Sequence, residues 1–279
     1  MSIPILVINL KNRSDSLVRT FNELYKLGNT SNTITRINAT DSSQAKELKY
    51  NYITHNAEKN IGNIKSTIIF PTWASVGCAI SHIECWKYIV TTGLRYALIV
   101  EDDIKVIDSN KLNYSINECI HILDSNRYEK IFISLNSRTD LHSSLSCSSN
   151  IKKYYYQFTG TSSYFINIEC CKFLLQTITP LTHQVDIELS RLFLMNRYNS
   201  CLNISGIYTD SGMKNYDHIS SVQYYFISYN QLKTIIQSTK YYLPNEIISI
   251  IYKHMPKKQD IQNNNLYGYY YNNNYYNSE

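Results

Sequence analysis

Glu101, Asp102 and Asp103 end the apolar run Tyr96–Val100 as three consecutive acids, in the stretch "ALIVEDDI". Neighbouring carboxylates raise one another's pKa unless a cation or a set of N–H donors offsets the repulsion. Their hard oxygens suit Mn2+ or Mg2+, ions that bind one or two carboxylates together with substrate phosphates. Taken alone, the run is explained as well by a solvated acidic turn, so its surroundings must separate the two readings. A further pair of acids, Asp186 and Glu188 in "HQVDIEL", opens a helical pattern. A carboxylate there sits near the positive end of a helix dipole and is kept ionised. A helix cap with no other duty is the competing account of Asp186.

The elements that would position these acids alternate. Ile3–Leu10 is a continuous apolar run of strand length, the pattern of a strand covered on both faces of a parallel sheet. Ser14 reads as an N-cap, and Leu17, Val18, Phe21, Leu24 and Tyr25 recur at helical spacing until Gly28 stops them. A second strand is predicted over Thr33–Ala39, followed by a polar stretch to Phe70 that reads as a long functional loop. "WASVGCAISHIECWKYIVTTG" is the clearest helix, with Ile80, Ile83, Trp86, Ile89 and Val90 on one face and Gly93 at its stop. The acid-bearing strand follows directly, then a helix over Lys111–Ser125 and a strand over Lys130–Leu135. This alternation predicts an α/β fold, a mainly parallel sheet flanked by helices with right-handed crossovers. Ligands of open α/β sheets lie outside the carboxyl ends of the strands, where the three acids fall.

Beyond Leu135 the pattern loosens. Ser143–Asn150 reads as a loop, "YYYQFTGTSSYFINI" as two short strands around Gly160, and Glu169–Thr177 as a helix before Pro180. Leu243–His254 is predicted as a separate helix with Pro244 in its first turn. "NNNLYGYYYNNNYYNSE" is a tract of biased composition without a core-forming period, and reads as a tail without fixed structure. The expected organisation is a main domain over 1–220, a helical C-terminal extension over 221–260 and the tail over 261–279.

Composition narrows the function classes. The 279 residues carry a net charge of +5, but the basic residues are scattered, whereas a nucleic-acid surface needs a clustered footprint. Seven cysteines, at 78, 85, 119, 147, 170, 171 and 201, include no C-x-x-C, which argues against a disulfide framework and a zinc knuckle. Reduced, mostly buried thiols in a cytoplasmic setting are the expectation. The start, "MSIPILVINLKNR", reads as a first strand and not as a signal peptide, and no stretch approaches a membrane span.

Four motifs in order, "PILVINLKNRSDSLVR", "VGCAISHIECWKYIV", "ALIVEDDI" and "GTSSYFIN…PLTHQVDIEL", resemble the successive signatures of glycosyltransferase family 25 over residues 3–195. That family includes bacterial lipooligosaccharide galactosyltransferases and collagen hydroxylysine galactosyltransferases. The sharpest piece is G-C-x-x-S-H-x-x-x-W at Gly77, Cys78, Ser81, His82 and Trp86. The resemblance implies a GT-A fold, a Rossmann-like sheet that takes a nucleotide-sugar donor, with the acidic triplet standing where the DxD motif of that fold stands. It makes Asp103 the direct ligand of Mn2+ or Mg2+. Asp102 would assist through the metal's waters or the donor, and Glu101 would approach the ribose or nucleotide.

By the same resemblance Asn9, Leu10 and Arg13 would border the base, ribose and diphosphate, and Asp41 would read the uracil or ribose. Surface placement at a helix entry is the plain account of Arg13. Ser81 and His82 are motif residues whose role the resemblance leaves open between donor contact and helix packing. Asp186 is the expected general base of an inverting transfer, taking the acceptor's proton as its hydroxyl attacks the anomeric carbon, with Glu188 in reserve. Asp217 and His218 stand near a late polar pair of related enzymes, although a solvent-exposed loop is the plainer reading. The chain departs from the family pattern at Ser42 for glycine, Ala74-Ser75 for Gly-Glu and Gln184 for proline. The implied donor is UDP-galactose or UDP-glucose, and the acceptor a collagen-like hydroxylysine, its galactosylated form, or a glycan. A catalytically inactive relative that binds glycans or acts as a scaffold is the alternative.

Overall fold

The acid-bearing strand lies in the interior of one nine-stranded sheet, third from its edge. The structure, a computed structural model, describes residues 3–27, 33–62, 70–136, 145–146, 151–153, 160–196 and 204–215. In chain order the elements are β1 (Pro4–Asn9), α1 (Ser14–Tyr25), β2 (Thr33–Asn38), α2 (Ser42–Tyr52), α3 (His55–Asn60) and α4 (Trp73–Thr92). There follow β3 (Tyr96–Glu101), β4 (Ile104–Val106), α5 (Ser109–Ser125), β5 (Lys130–Asn136), β6 (Leu145–Ser146) and β7 (Ile151–Lys153). The last are β8 (Ser163–Asn167), α6 (Ile168–Thr177), α7 (Val185–Asn196) and β9 (Ile204–Asn215).

The sheet runs β2-β1-β3-β8-β5-β9-β7-β6, with β4 paired to β9. β1 pairs in parallel with β2 and β3, and β5 in parallel with β9. β8 is inserted antiparallel between β3 and β5. β2, β1, β3, β5 and β9 therefore point the same way, the Rossmann-like frame that the alternation of elements predicts. The antiparallel insertion is the addition, since apolar runs do not encode direction.

Side chains alternate across the sheet, as a two-residue period requires. Leu6, Ile8, Ala97, Ile99, Tyr164 and Ile166 pack under Ile80, Ile83, Trp86 and Ile89 of α4 and Leu174 of α6. Ile5, Val7, Leu98, Val100 and Phe165 pack under Leu24 of α1 and Leu112, Ile116 and Cys119 of α5. β1 and β3 are dry on both faces, which is why each reads as an unbroken apolar run. Each fully buried aliphatic side chain contributes about 1.5–3 kcal/mol.

α4 is built at both ends by its own sequence. Thr72 accepts from the Ser75 N–H at 3.2 Å while the Ser75 hydroxyl accepts from the Thr72 N–H at 3.2 Å, a reciprocal capping box. At the other end Gly93 takes φ 68°, the left-handed conformation that closes a helix without steric cost. At α1 the cap position is Arg13, one residue before the expected Ser14, which is already helical.

The polar stretch after β2, expected as a loop, carries α2 and α3 instead. Their signal was in the caps. Asp41 accepts from the Ser43 and Gln44 N–H groups at 2.8 and 2.9 Å, and Gln44 returns a bond to the Asp41 N–H at 3.1 Å. α2 buries only Ala45 and Tyr52, and α3 only Ala57, so neither leaves a helical period in the sequence. β9, "ISGIYTDSGMKN", was also not expected, because its glycines and polar residues break the apolar run of a central strand. The expected helix over Leu243–His254, the tail from 261, most of the 143–150 loop and the pair Asp217 and His218 lie outside the described residues. Among the described residues no helix is long and apolar enough to cross a membrane.

Candidate active site at the carboxyl edge of the sheet

β1 ends at Asn9 and β3 at Glu101, side by side in parallel register, with Ile8 opposite Glu101. The Ala39 N–H donates to the Asn9 carbonyl at 3.0 Å, bringing the turn after β2 to the same edge. β8 begins there from the opposite direction, and the Glu101 N–H donates to the Ser162 carbonyl at 2.8 Å. The edge thus gathers Asn9, the Thr40–Asp41 turn, Glu101–Asp103 and the Gly160–Ser162 entry to β8.

The acids of the triplet stand in different environments. Asp102 is buried, its side chain turned toward β1. Asn9 Nδ2 donates to Asp102 Oδ2 at 2.6 Å and to the Arg13 carbonyl at 2.9 Å, and an Arg13 guanidinium nitrogen lies 3.4 Å from Asp102 Oδ1. Burial raises the Asp102 pKa, and the Asn9 bond and the Arg13 charge offset that rise only in part. Leu10 contributes its carbonyl, which accepts from the Arg13 N–H at 3.0 Å and shapes the turn that presents the guanidinium.

Glu101 turns toward α4, its Oε1 3.5 Å from His82 Nε2. Cys78 lies one helical turn before His82. Burial first, and then the charges of Glu101, Asp186 and Asp103, push its thiol well above the usual range. Glu101 is the carboxylate that lies beside this sulfur, within 4.8 Å of it and of a ring nitrogen of His82.

The spacing of the G-C-x-x-S-H-x-x-x-W motif is explained by what each residue touches. A Cβ on Gly77 would lie 2.3 Å from the Thr40 carbonyl oxygen, so only glycine lets α4 approach the turn after β2. Ser81 Oγ accepts from the Thr40 N–H at 2.9 Å and donates to the Gly77 carbonyl at 2.7 Å, fastening the turn to the helix. His82, fully buried, places Nδ1 3.0 Å from the Tyr164 hydroxyl and Nε2 3.1 Å from the Thr161 hydroxyl. The Trp86 indole N–H donates to the same Tyr164 oxygen at 3.0 Å. Thr161 and Tyr164 were not singled out in the sequence, although both lie in "GTSSYFIN". An isolated strand tyrosine carries no signal until its partners are known.

Asp186 sits in the first turn of α7. Its Oδ2 accepts from the Gly160 N–H at 2.9 Å and its Oδ1 from the Ile187 N–H at 2.9 Å, so its orientation is fixed and it is tied to the mouth of β8. Glu188 is engaged elsewhere. Its Oε1 accepts from the Thr182 and His183 N–H groups at 3.1 and 2.9 Å and lies 2.8 Å from His183 Nδ1, with Arg191 at 3.6 Å from Oε2. Burial raises its pKa, but the His183 hydrogen bond and charge, Arg191 and the Thr182 N–H more than offset this and hold it below the usual glutamate value. Asp41 likewise commits its Oδ1 to the cap of α2.

The fold therefore brings together Asn9, Arg13 and Asp102 in one cluster and Cys78, His82 and Glu101 in a second, to which Gly160 and Thr161 connect Asp186, while Asp103 follows directly on Asp102 and Ser81 fastens the turn after β2 to α4. Glu188 belongs to the knot that shapes the start of α7. Cys78, His82 and Glu101 offer sulfur, nitrogen and oxygen atoms within 4.8 Å of one another.

Residues 2–189 match the family described as Glycosyltransferase family 25 (LPS biosynthesis protein), a span that contains every residue of both clusters. Over 125 residues the chain is 29% identical to a Haemophilus influenzae (strain Rd) protein named "Putative glycosyltransferase". That alignment covers 43% of this chain and 42% of the relative, so the chain spans less than half the length of the protein it matches.

Proposed function

The chain belongs to glycosyltransferase family 25, and from that premise we propose that it transfers galactose or glucose from a UDP-sugar to a hydroxyl acceptor. The transfer inverts the anomeric carbon and depends on Mn2+ or Mg2+. The observation that carries this reading is the meeting at the carboxyl edge, where α/β sheets bind their ligands, of the acid-bearing end of β3 with the Gly160–Ser162 entry to β8, to which the Glu101 and Asp186 carboxylates are both linked.

The donor set suits a hard divalent cation, because carboxylate oxygens are the groups such ions take beside phosphates. Asp103 would hold the ion. Asp102 has an oxygen on Asn9 and another near Arg13, so its assistance would run through those residues or the ion's waters. When bound, the ion supplies neutralisation of the charge that gathers on the diphosphate as the glycosidic bond breaks.

Arg13, whose side chain is 36% exposed, is kept at the edge by Asp102 and would fork onto phosphate oxygens. Asn9, Leu10 and Asp41 line the side where the base and ribose would lie, and Glu101, braced by His82, would meet the nucleotide. Asp186 is the general base. Gly160 and Ile187 orient its carboxylate, which would take the acceptor's proton. The acceptor class is a collagen-like hydroxylysine, its galactosylated form, or a glycan.

A donor screen tests this. The full chain is incubated with each UDP-sugar and Mn2+ over an acceptor panel, with and without EDTA, and released UDP is measured. UDP-galactose or UDP-glucose should turn over, EDTA should stop it, and Asp103→Asn should lose it. Silence with every donor would reject the enzyme reading in favour of a glycan-binding or scaffold relative.

A further inference from the structure

We propose that Tyr164 is a positioning residue: its buried hydroxyl sets the tautomer of His82, and through it the placement of the Glu101 carboxylate at the sheet edge. The argument is one of hydrogen-bond polarity. Trp86 Nε1 can only donate, and it lies 3.0 Å from the Tyr164 oxygen. Tyr164 is fully buried, and burial pushes its pKa far up, so the phenol keeps a proton that needs an acceptor. Among its described partners only His82 Nδ1, at 3.0 Å, can accept. Nδ1 is therefore the bare nitrogen and Nε2 carries the hydrogen. That N–H faces the Thr161 hydroxyl at 3.1 Å and Glu101 Oε1 at 3.5 Å. The Tyr164 ring cannot turn away, because it stacks on Phe132 with centroids 4.5 Å apart and 25° between the planes.

The same polarity decides between two uses of the cluster around His82. Cys78, His82 and Glu101 are close enough to hold a thiophilic ion. Ligation through Nε2 would need that nitrogen bare. Nδ1–H and the Trp86 N–H would then both point at the Tyr164 oxygen, and the phenol proton would lose its acceptor. The arrangement of Trp86, Tyr164 and Thr161 thus selects a hydrogen-bonded brace over a metal site at His82.

The kinetic consequence rests on the glycosyl-transfer reading, but the tautomer does not. The test is a long-range 1H–15N correlation spectrum of the full chain, with the His82 signals assigned from their loss in His82→Gln. The wild type should show a protonated Nε2 and a bare Nδ1, and Tyr164→Phe, which keeps the stacked ring, should show exchange between tautomers. Tyr164→Phe should also raise the KM for the UDP-sugar about three- to tenfold, the range that the loss of one supporting hydrogen bond gives. His82→Gln, whose amide N–H can replace Nε2–H, should recover more of that affinity than His82→Leu. A protonated Nδ1 in the wild type, an unchanged tautomer in Tyr164→Phe, or a cobalt–thiolate absorption band that Cys78→Ser abolishes would overturn the proposal. If the spectra come out as expected while no UDP-sugar turns over, the brace stands and the functional reading fails.

Discussion

Replacing Gly77 with alanine sets two rules against each other. On helix propensity alone the change should stabilise α4 by about 1 kcal/mol. The structure opposes it. The new Cβ would meet the Thr40 carbonyl oxygen at 2.3 Å and its carbon at 3.2 Å, both backbone atoms, the oxygen about 1 Å inside an ordinary contact. Relief requires α4 and the turn after β2 to part by that amount, which costs about 1–3 kcal/mol as overpacking. Parting also stretches the 2.9 Å bond from the Thr40 N–H to Ser81, a further loss of about 1 kcal/mol. The balance is a destabilisation of about 1–3 kcal/mol, or roughly 2–10 °C in melting temperature for a domain of this size. Urea and thermal unfolding of the variant measure it, with Ser81→Ala beside it to isolate the hydrogen-bond share at about 1 kcal/mol. A Gly77→Ala midpoint equal to or above that of the wild type would refute the close approach of α4 to the turn.

Asp186→Asn keeps the size of the side chain and one oxygen for an N–H donor, but removes the proton acceptor, so kcat should fall about 10²–10⁴-fold with little change in the donor's KM. Steady-state kinetics with the best UDP-sugar decide it, and full turnover in the variant would remove Asp186 from the mechanism. Glu188→Gln should leave the chemistry in place and cost about 2 kcal/mol of stability at neutral pH, because Thr182, His183 and Arg191 lose a charged partner. The folded value of Glu188 is depressed, so this stability is present above the ordinary glutamate pKa and is lost as pH falls through the lower, folded one. Chemical denaturation should therefore show the gap between variant and wild type closing below about pH 4, and a gap that widens there would contradict the assignment.

The frame was legible where burial is two-sided or a helix has one clean apolar stripe. β1, β3, β5 and α4 fall within a residue or two of the strands and helix that their runs indicate. α2 and α3 were not legible, because they rest against the molecule through three residues and are defined by the caps at Asp41 and Thr54. β8 was legible as a strand but not in its direction, which follows from pairing with β3 and β5 and not from its own sequence. At the site, the acids could be picked out by type, but their division of labour could not. That Asp102 turns to Asn9 and Arg13 while Glu101 turns to His82 depends on which face of β1 and α4 each meets, a tertiary fact.

The same logic explains why G-C-x-x-S-H-x-x-x-W carries more information than the acidic triplet it precedes. Gly77 and Ser81 are four residues apart, and so are His82 and Trp86, so each pair forms one row along the surface of α4. Successive residues of a helix are turned by about 100°, which sends the two rows to different neighbours. The Gly77–Ser81 row meets Thr40 and fixes the turn that carries Asp41. The His82–Trp86 row meets Tyr164 and braces Glu101. One rigid helix thereby sets the distance between two loops that are far apart in the chain and adjacent at the sheet edge. Inserting a residue between Ser81 and His82 would rotate one row away from its partner and leave either the turn or the carboxylate without support. A solvated acidic turn has no need of such support, whereas acids that must hold a geometry do, and the two anchors, His82 on Glu101 and Asn9 with Arg13 on Asp102, are the argument for the site proposed at Glu101–Asp103.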